Sequence, residues 1–184
     1  PFAARVRTIP AIRADILEVL PENGALLRTN ARGASVISIG DDIYSVRMQG
    51  SAVDYAKEIE RLRVSDTMGD RFTDIVQSTR DRCSCADISD RWQERIAGVN
   101  EPWKRNLWEA AARGTWVHET FGRELSYLPE GKNFNYNRTG IDIVPADRAV
   151  HIPYEITQLT PSTNALRVHS NRYWSESFRF ITYR

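Results

Sequence analysis

The sequence predicts an α+β domain built on a mixed central sheet. Three observations lead there. Residues 34–50 alternate apolar and polar side chains on both sides of Gly40-Asp41-Asp42, the pattern of a β-hairpin. Residues 51–96 then set apolar side chains at helical spacing among charges. From Lys132 onward the period turns strand-like, and short alternating runs continue to the C-terminus around one further helix.

Taken in order, a first helix is expected from Ile9 to Leu20, stopped by Pro21 and the turn-like Glu22-Asn23-Gly24. The hairpin follows, with Val36, Ile37 and Ile39 before the turn and Ile43, Tyr44, Val46 and Met48 after it. One helix spans 51–64 through Val53, Ala56, Ile59 and Leu62, and a second spans 68–80 through Phe72, Ile75 and Val76. Asp87 or Ser89 caps a third that runs to Ile96, with Gly98 as its stop. Glu101-Pro102 opens a longer helix. Its apolar stripe reads Trp103, Leu107, Ala110 or Ala111, Trp116 or Val117, then Phe121, and Gly114 weakens it in the middle. Tryptophans at such spacings are expected in the core rather than stacked on bases.

Strands are expected at 132–137, at Gly140–Val144 before Pro145, and at Val150–Thr157 after a turn at Ala146-Asp147-Arg148. Pro161-Ser162-Thr163 starts a helix to about Trp174, and Phe178–Tyr183 forms a final strand. Phe178, Phe180 and Thr182 share one face of that strand, and Arg179, Ile181 and Tyr183 the other. The division expected is a hairpin-plus-helices extension over 1–100 and a core over 101–184.

Composition narrows the function classes. With 41% hydrophobic and 27% charged residues, the profile is that of an ordinary soluble domain. No run approaches the roughly 20 apolar residues of a membrane span. The N-terminus lacks a signal-peptide pattern, and its opening on Pro1 suggests a piece of a longer protein. A net charge of +1 leaves nucleic-acid binding to local patches. The basic residues are 22 Arg and only 3 Lys, and Arg forks grip phosphates bidentately. Cys83 and Cys85 stand one residue apart, where side chains diverge, so they are expected reduced and structural, which suits a cytosolic site of action.

The chemistry concentrates between Arg113 and Thr157. His118 and Glu119 lie on the long helix, Asp142 opens a strand, and Glu155 sits on the next. Acidic side chains delivered this way can meet at one end of a small sheet, an arrangement that holds Mg²⁺ beside a phosphodiester. Asp142 and Glu155 face the same way if their strands pair, and the backbone carbonyl of Ile156 adds a third hard oxygen. Glu119 could ligate directly or through water. Neighbours on a helix point about 100° apart, so the choice between His118 and Glu119 stays open.

The order helix, strand, strand, strand, helix, strand resembles the restriction-endonuclease-like core of the PD-(D/E)XK nuclease superfamily. RGTWVHE resembles the first motif of its RecB-like branch, GIDIV the second, and YEIT the D/E-x-K strand. HSNRY, with His169 four residues before Tyr173, falls where that branch often has Q-x-x-x-Y. The likeness covers roughly the last 80 residues, and similar modules end bacterial polymorphic toxins.

The resemblance implies Mg²⁺- or Mn²⁺-dependent hydrolysis of phosphodiesters, with DNA favoured over RNA. It also implies an effector delivered into a target cell's cytoplasm and a neutralising immunity protein. Asp142, Glu155 and Glu119 would hold the metal, and His118 could join them. Arg138, Arg167, His169, Arg172 and Tyr173 would meet substrate, beside the amide-rich edge of Asn133, Asn135 and Asn137. One departure stands out: the family's lysine is Thr157 here. Its charge would have to come from Arg167, Arg172 or Lys132, or Gln158 would have to orient the water. Two rivals follow. A cysteine enzyme would use Cys83 or Cys85 with His118 or His151 and Asp142. A nuclease fold that had lost its lysine would only bind.

Overall fold

The structure, a computed structural model, describes residues 8–30, 34–47, 50–160 and 164–184. Met48 and the expected helix start at Pro161-Ser162-Thr163 lie outside them. Among the described residues there are six α-helices and seven strands. The order is α1 (Ile9–Val19), β1 (Gly24–Thr29), β2 (Ser35–Ile39), β3 (Asp42–Val46), α2 (Ala52–Ser65), α3 (Gly69–Arg82), α4 (Asp90–Ala97) and α5 (Pro102–Leu125). Then come β4 (Phe134–Tyr136), β5 (Ile143–Pro145), β6 (Tyr154–Gln158), α6 (Asn164–Arg172) and β7 (Phe178–Tyr183). The fold is α+β, as expected. No helix among the described residues is long and apolar enough to cross a membrane.

The strands form one mixed sheet in the order β1-β2-β3-β7-β6-β5-β4. Every pairing is antiparallel except β6 with β7, which run parallel with α6 crossing between them. The hairpin is bonded into this sheet, because β3 pairs with β7 through Ile43↔Phe180 and Ser45↔Phe178. Residues expected in the extension and in the core therefore share one sheet. They also share one apolar cluster, which joins Ile37, Ile59 and Phe72 to Val117, Tyr154 and Ile181.

Strand alternation sorts the side chains into two layers. Phe72 of α3 centres the larger, meeting Phe121, Phe134 and Tyr154 edge-on at centroid distances of 5.7, 5.2 and 5.2 Å. On the opposite face a smaller cluster of Val36, Ile141, Leu166, Phe178 and Phe180 lies under α6. The two faces expected for β7 divide as read: Phe178 and Phe180 enter the small cluster, Ile181 and Tyr183 the large one.

Three readings are corrected. β1 was not expected; its GALLRT alternates weakly in burial at the sheet edge. β5 begins at Ile143 and β6 at Tyr154, so Asp142 precedes its strand. Trp103 and Leu107 are 68% and 62% exposed. A 24-residue helix is about 36 Å long and outruns the sheet. Its buried face begins only at Ala112 and continues through Val117, Thr120, Phe121 and Leu125.

Candidate functional site

The site forms where β5 and β6 part. Only Ile143↔Tyr154 pairs these strands, which puts Asp142 opposite Glu155 just past the last rung. Side chains take over the hydrogen bonds that the ladder gives up. The Asp142 amide donates to Glu155 Oε2 at 3.1 Å, and the Ile156 amide donates to Asp142 Oδ2 at 2.9 Å. Each carboxylate is thereby fixed by the backbone across from it, and both are buried, at 7% and 2% exposure.

Their remaining oxygens face histidines from opposite sides of the sheet. His118 Nδ1 on α5 lies 3.2 Å from Asp142 Oδ1, and His169 Nδ1 on α6 meets Glu155 Oε1. His118 is thus the inward member of the His118-Glu119 pair. Glu119 is exposed, on the wall of a cavity of about 310 Å³ that His118, Tyr136, Arg138 and Asp142 also line. His169, expected at the substrate, backs Glu155 through its Nδ1.

The electrostatics follow from burial beside like charge. Burial pushes the Glu155 carboxyl above the usual carboxylate range; the His169 hydrogen bond opposes that, and the neighbouring Asp142 charge adds to it. Burial by itself would lower His118, but the hydrogen bond and charge of Asp142, helped by Glu155, raise it above an ordinary histidine. Tyr136, on the same cavity wall, is raised by burial and by the charges of Asp142 and Glu119.

The other expected residues divide. Tyr173 donates its hydroxyl to the Gly140 carbonyl at 2.7 Å. It thereby ties down the turn before Asp142, in which Gly140 takes φ +102°. Arg138 is exposed and shares the cavity with His118 and Asp142. Arg167 folds back on to Asn164 Oδ1, at 3.1 Å from Nε and 2.9 Å from Nη2. Arg172 is exposed, its guanidinium 6.0 Å from the Tyr173 ring centre, and Lys132 is exposed on a 3₁₀ turn. Thr157 is buried on the same face of β6 as Glu155, whereas Gln158 alternates to the other.

Sequence reasoning missed how α5 is seated. Gly114, His118 and Gly122 follow at i, i+4 and i+8 and therefore share a helix face. A Cβ on Gly114 would lie 3.2 Å from the Tyr183 hydroxyl, and one on Gly122 would lie 2.4 Å from the Tyr136 ring. Gly114, expected to weaken the helix, is where α5 closes on the sheet. Tyr183 is buried there, and its hydroxyl is pushed up to about 12, first by burial.

Of the cysteine centre, the His118–Asp142 half is present, while the Cys83 thiol meets the Ser84 carbonyl at 3.9 Å. His151 Nδ1 meets Thr67 Oγ1 at 2.9 Å. As for a metal, among the described residues no three His, Cys, Asp or Glu side chains form a ready-made ligand group. The donor set still fits a hard divalent cation. Two opposed buried carboxylates supply oxygen, and among the described residues their ion-pair partners are histidines, with no Lys or Arg. Comparison with known proteins finds no matching family model, no matching curated protein and no matching solved structure.

Proposed function

We propose that the chain is a metal-dependent nuclease with a restriction-endonuclease-like core, and that DNA is its preferred substrate. The observation that supports this best is the Asp142–Glu155 pair, two buried carboxylates each held by an amide of the opposite strand where two strands part. Adjacent anions in a low-dielectric site favour a bound cation. Asp142 and Glu155 would hold Mg²⁺ or Mn²⁺ with the Ile156 carbonyl, and His118 would complete or position the set. When bound, such an ion acidifies a water and offsets charge on the phosphate.

The chain's own residues do the rest. His118 orients Asp142 from α5, and His169 orients Glu155 from α6. Tyr173 fixes the turn that delivers Asp142. Arg138 stands on the cavity wall as the cation for the phosphate, in place of the lysine that Thr157 replaces. Delivery as an effector, and an immunity partner, belong to the same reading and rest on the motif resemblance.

The test is cleavage of supercoiled plasmid and of total RNA with Mg²⁺ or Mn²⁺, with and without EDTA, by wild type and Glu155→Ala. Plasmid cleavage abolished by EDTA and by the substitution is expected. Binding without cleavage would instead favour a module that only binds. A second reading has its own observation: the two histidines each turn Nδ1 to a carboxylate, which leaves both Nε2 atoms for proton transfer. That arrangement suits metal-free cleavage of RNA at the cavity, with His118 taking the 2′-hydroxyl proton and a water protonating the leaving oxygen. Cleavage of RNA alone, undiminished by EDTA, would select it.

A further inference from the structure

We infer that a groove between α4 and α5 seats the phosphate backbone of the nucleotides flanking the scissile bond, with Arg91 and Arg95 as its contacts; this rests on the nuclease reading. The cavity that holds His118 and Asp142 does not end at α5. It meets a second cavity, of about 380 Å³, at Thr115 and Glu119, and Arg91, Trp92, Arg95 and Trp116 line the far part. A strand whose phosphate lies at Asp142 would cross α5 at Thr115, past the exposed Glu119, to reach these arginines.

The arginines are suited to that role. Among the described residues six arginines are neutralised in ion pairs with carboxylates: Arg61, Arg63, Arg82, Arg113, Arg148 and Arg179. Among the described residues, neither Arg91 nor Arg95 has such a pair. Arg95 is also held in place. Its guanidinium lies 5.6 Å from the Trp92 ring centre and 5.3 Å from that of Trp108, and the two rings meet at 5.7 Å and 60°. Stacked this way, a guanidinium loses little freedom on binding and keeps its N–H edge for phosphate. The helix that presents both arginines has no fully buried residue. The Trp92–Trp108 contact anchors it to α5, and its arginines are left to solvent. Asp87, which also lines the groove just before α4, is engaged locally, accepting from the Ser84 amide and hydroxyl at 2.8 and 2.6 Å, and Glu119 is the carboxylate on the α5 wall.

The experiment measures binding of a fluorescein-labelled 20-nucleotide single strand to the full chain, by anisotropy in EDTA over a range of salt. Removing both arginines (Arg91→Ala with Arg95→Ala) should weaken binding about tenfold and flatten the dependence of log Kd on log salt by roughly 1.4. A control without Arg13 and Arg71 should match wild type. Arg91→Glu, a change at an exposed side chain outside the tryptophan stack, should weaken binding further than Arg91→Ala while the thermal melt stays put. With Mn²⁺, hydrolysis of bis(p-nitrophenyl) phosphate should be equal in wild type and the double variant, because so small a diester does not reach the groove.

The outcomes separate the two proposals. Unchanged affinity and salt slope in the double variant, with cleavage intact, overturns the groove and leaves the nuclease. Arginine-dependent binding by a wild type that cleaves nothing supports the groove and overturns the nuclease. A wild type that neither binds nor cleaves overturns both.

Discussion

β6 and β7 lie side by side, and each buries a charge one rung from the other. Arg179 stands opposite Tyr154, and Glu155 stands opposite Phe180. Alternation sends Arg179 to the α3 face and Glu155 to the α6 face. Arg179, 5% exposed, ion-pairs with Asp66 and Asp42 at 2.6 Å and with Asp70 at 2.7 Å. Tyr44 adds a hydrogen bond to Asp66 at 2.7 Å. Glu155 has as its neighbours another carboxylate and a histidine. One buried charge is matched by opposite charge; the other faces its like. A matched charge ties helices and strands together, whereas opposed carboxylates cost stability and are kept where a cation or a reaction needs them.

The contrast can be broken most sharply at the carboxylates. On the proposed nuclease function, Asp142→Asn should reduce plasmid cleavage about a thousandfold while the circular dichroism stays native. Loss of fold instead would make Asp142 a structural residue like Arg179. The converse substitution, Arg179→Met, should lower stability by about 3–5 kcal/mol in urea unfolding, because Asp66 is left buried and unmatched. Asp70→Asn should cost far less, since that side chain is 89% exposed.

Glu155→Gln sharpens the comparison with the opposite sign. Glu155 titrates above its unfolded value, so the stability it contributes is present below about 4.5 and is lost as pH rises through the raised value. At pH 8 in EDTA the neutral variant should therefore melt about 2–4 °C higher than wild type, roughly 1 kcal/mol in a chain of this size. Mn²⁺ should raise the melting temperature of wild type and leave the variant unmoved.

The smallest effect is expected at His118, also raised. Its pairing with Asp142 contributes fully below about 6.5 and fades as pH climbs through the folded value. His118→Gln should thus lose more stability at pH 5 than at pH 8 in urea unfolding. Equal losses at both would remove the charge from that contact.

Legibility in the sequence followed the range of the interactions. The hairpin, α5 and β7 were readable because periodicity and capping act over a few residues. Asp142 and Glu155 were readable as a pair because one short turn region joins their strands. β1 escaped because an edge strand needs little alternation. The choice between His118 and Glu119 waited on which face of α5 meets the sheet. The His169–Glu155 contact is not legible because nothing local says that α6 crosses over Glu155. Arg179 shared a strand face with Ile181 and Tyr183, a cue that it is buried, yet its acidic partners lie 109 to 137 residues away.

The seating of α5 sets the working tolerance of the whole arrangement. His118 sits one turn from Gly114 and one turn from Gly122; the Tyr136 ring occupies the room a methyl would take at Gly122, and the Tyr183 hydroxyl lies 3.2 Å from where one would stand at Gly114. Helix and sheet are thereby gauged against each other at two points, with the imidazole midway between. A methyl at Gly122 would force helix and ring apart, and the distance from His118 to Asp142 would move with them.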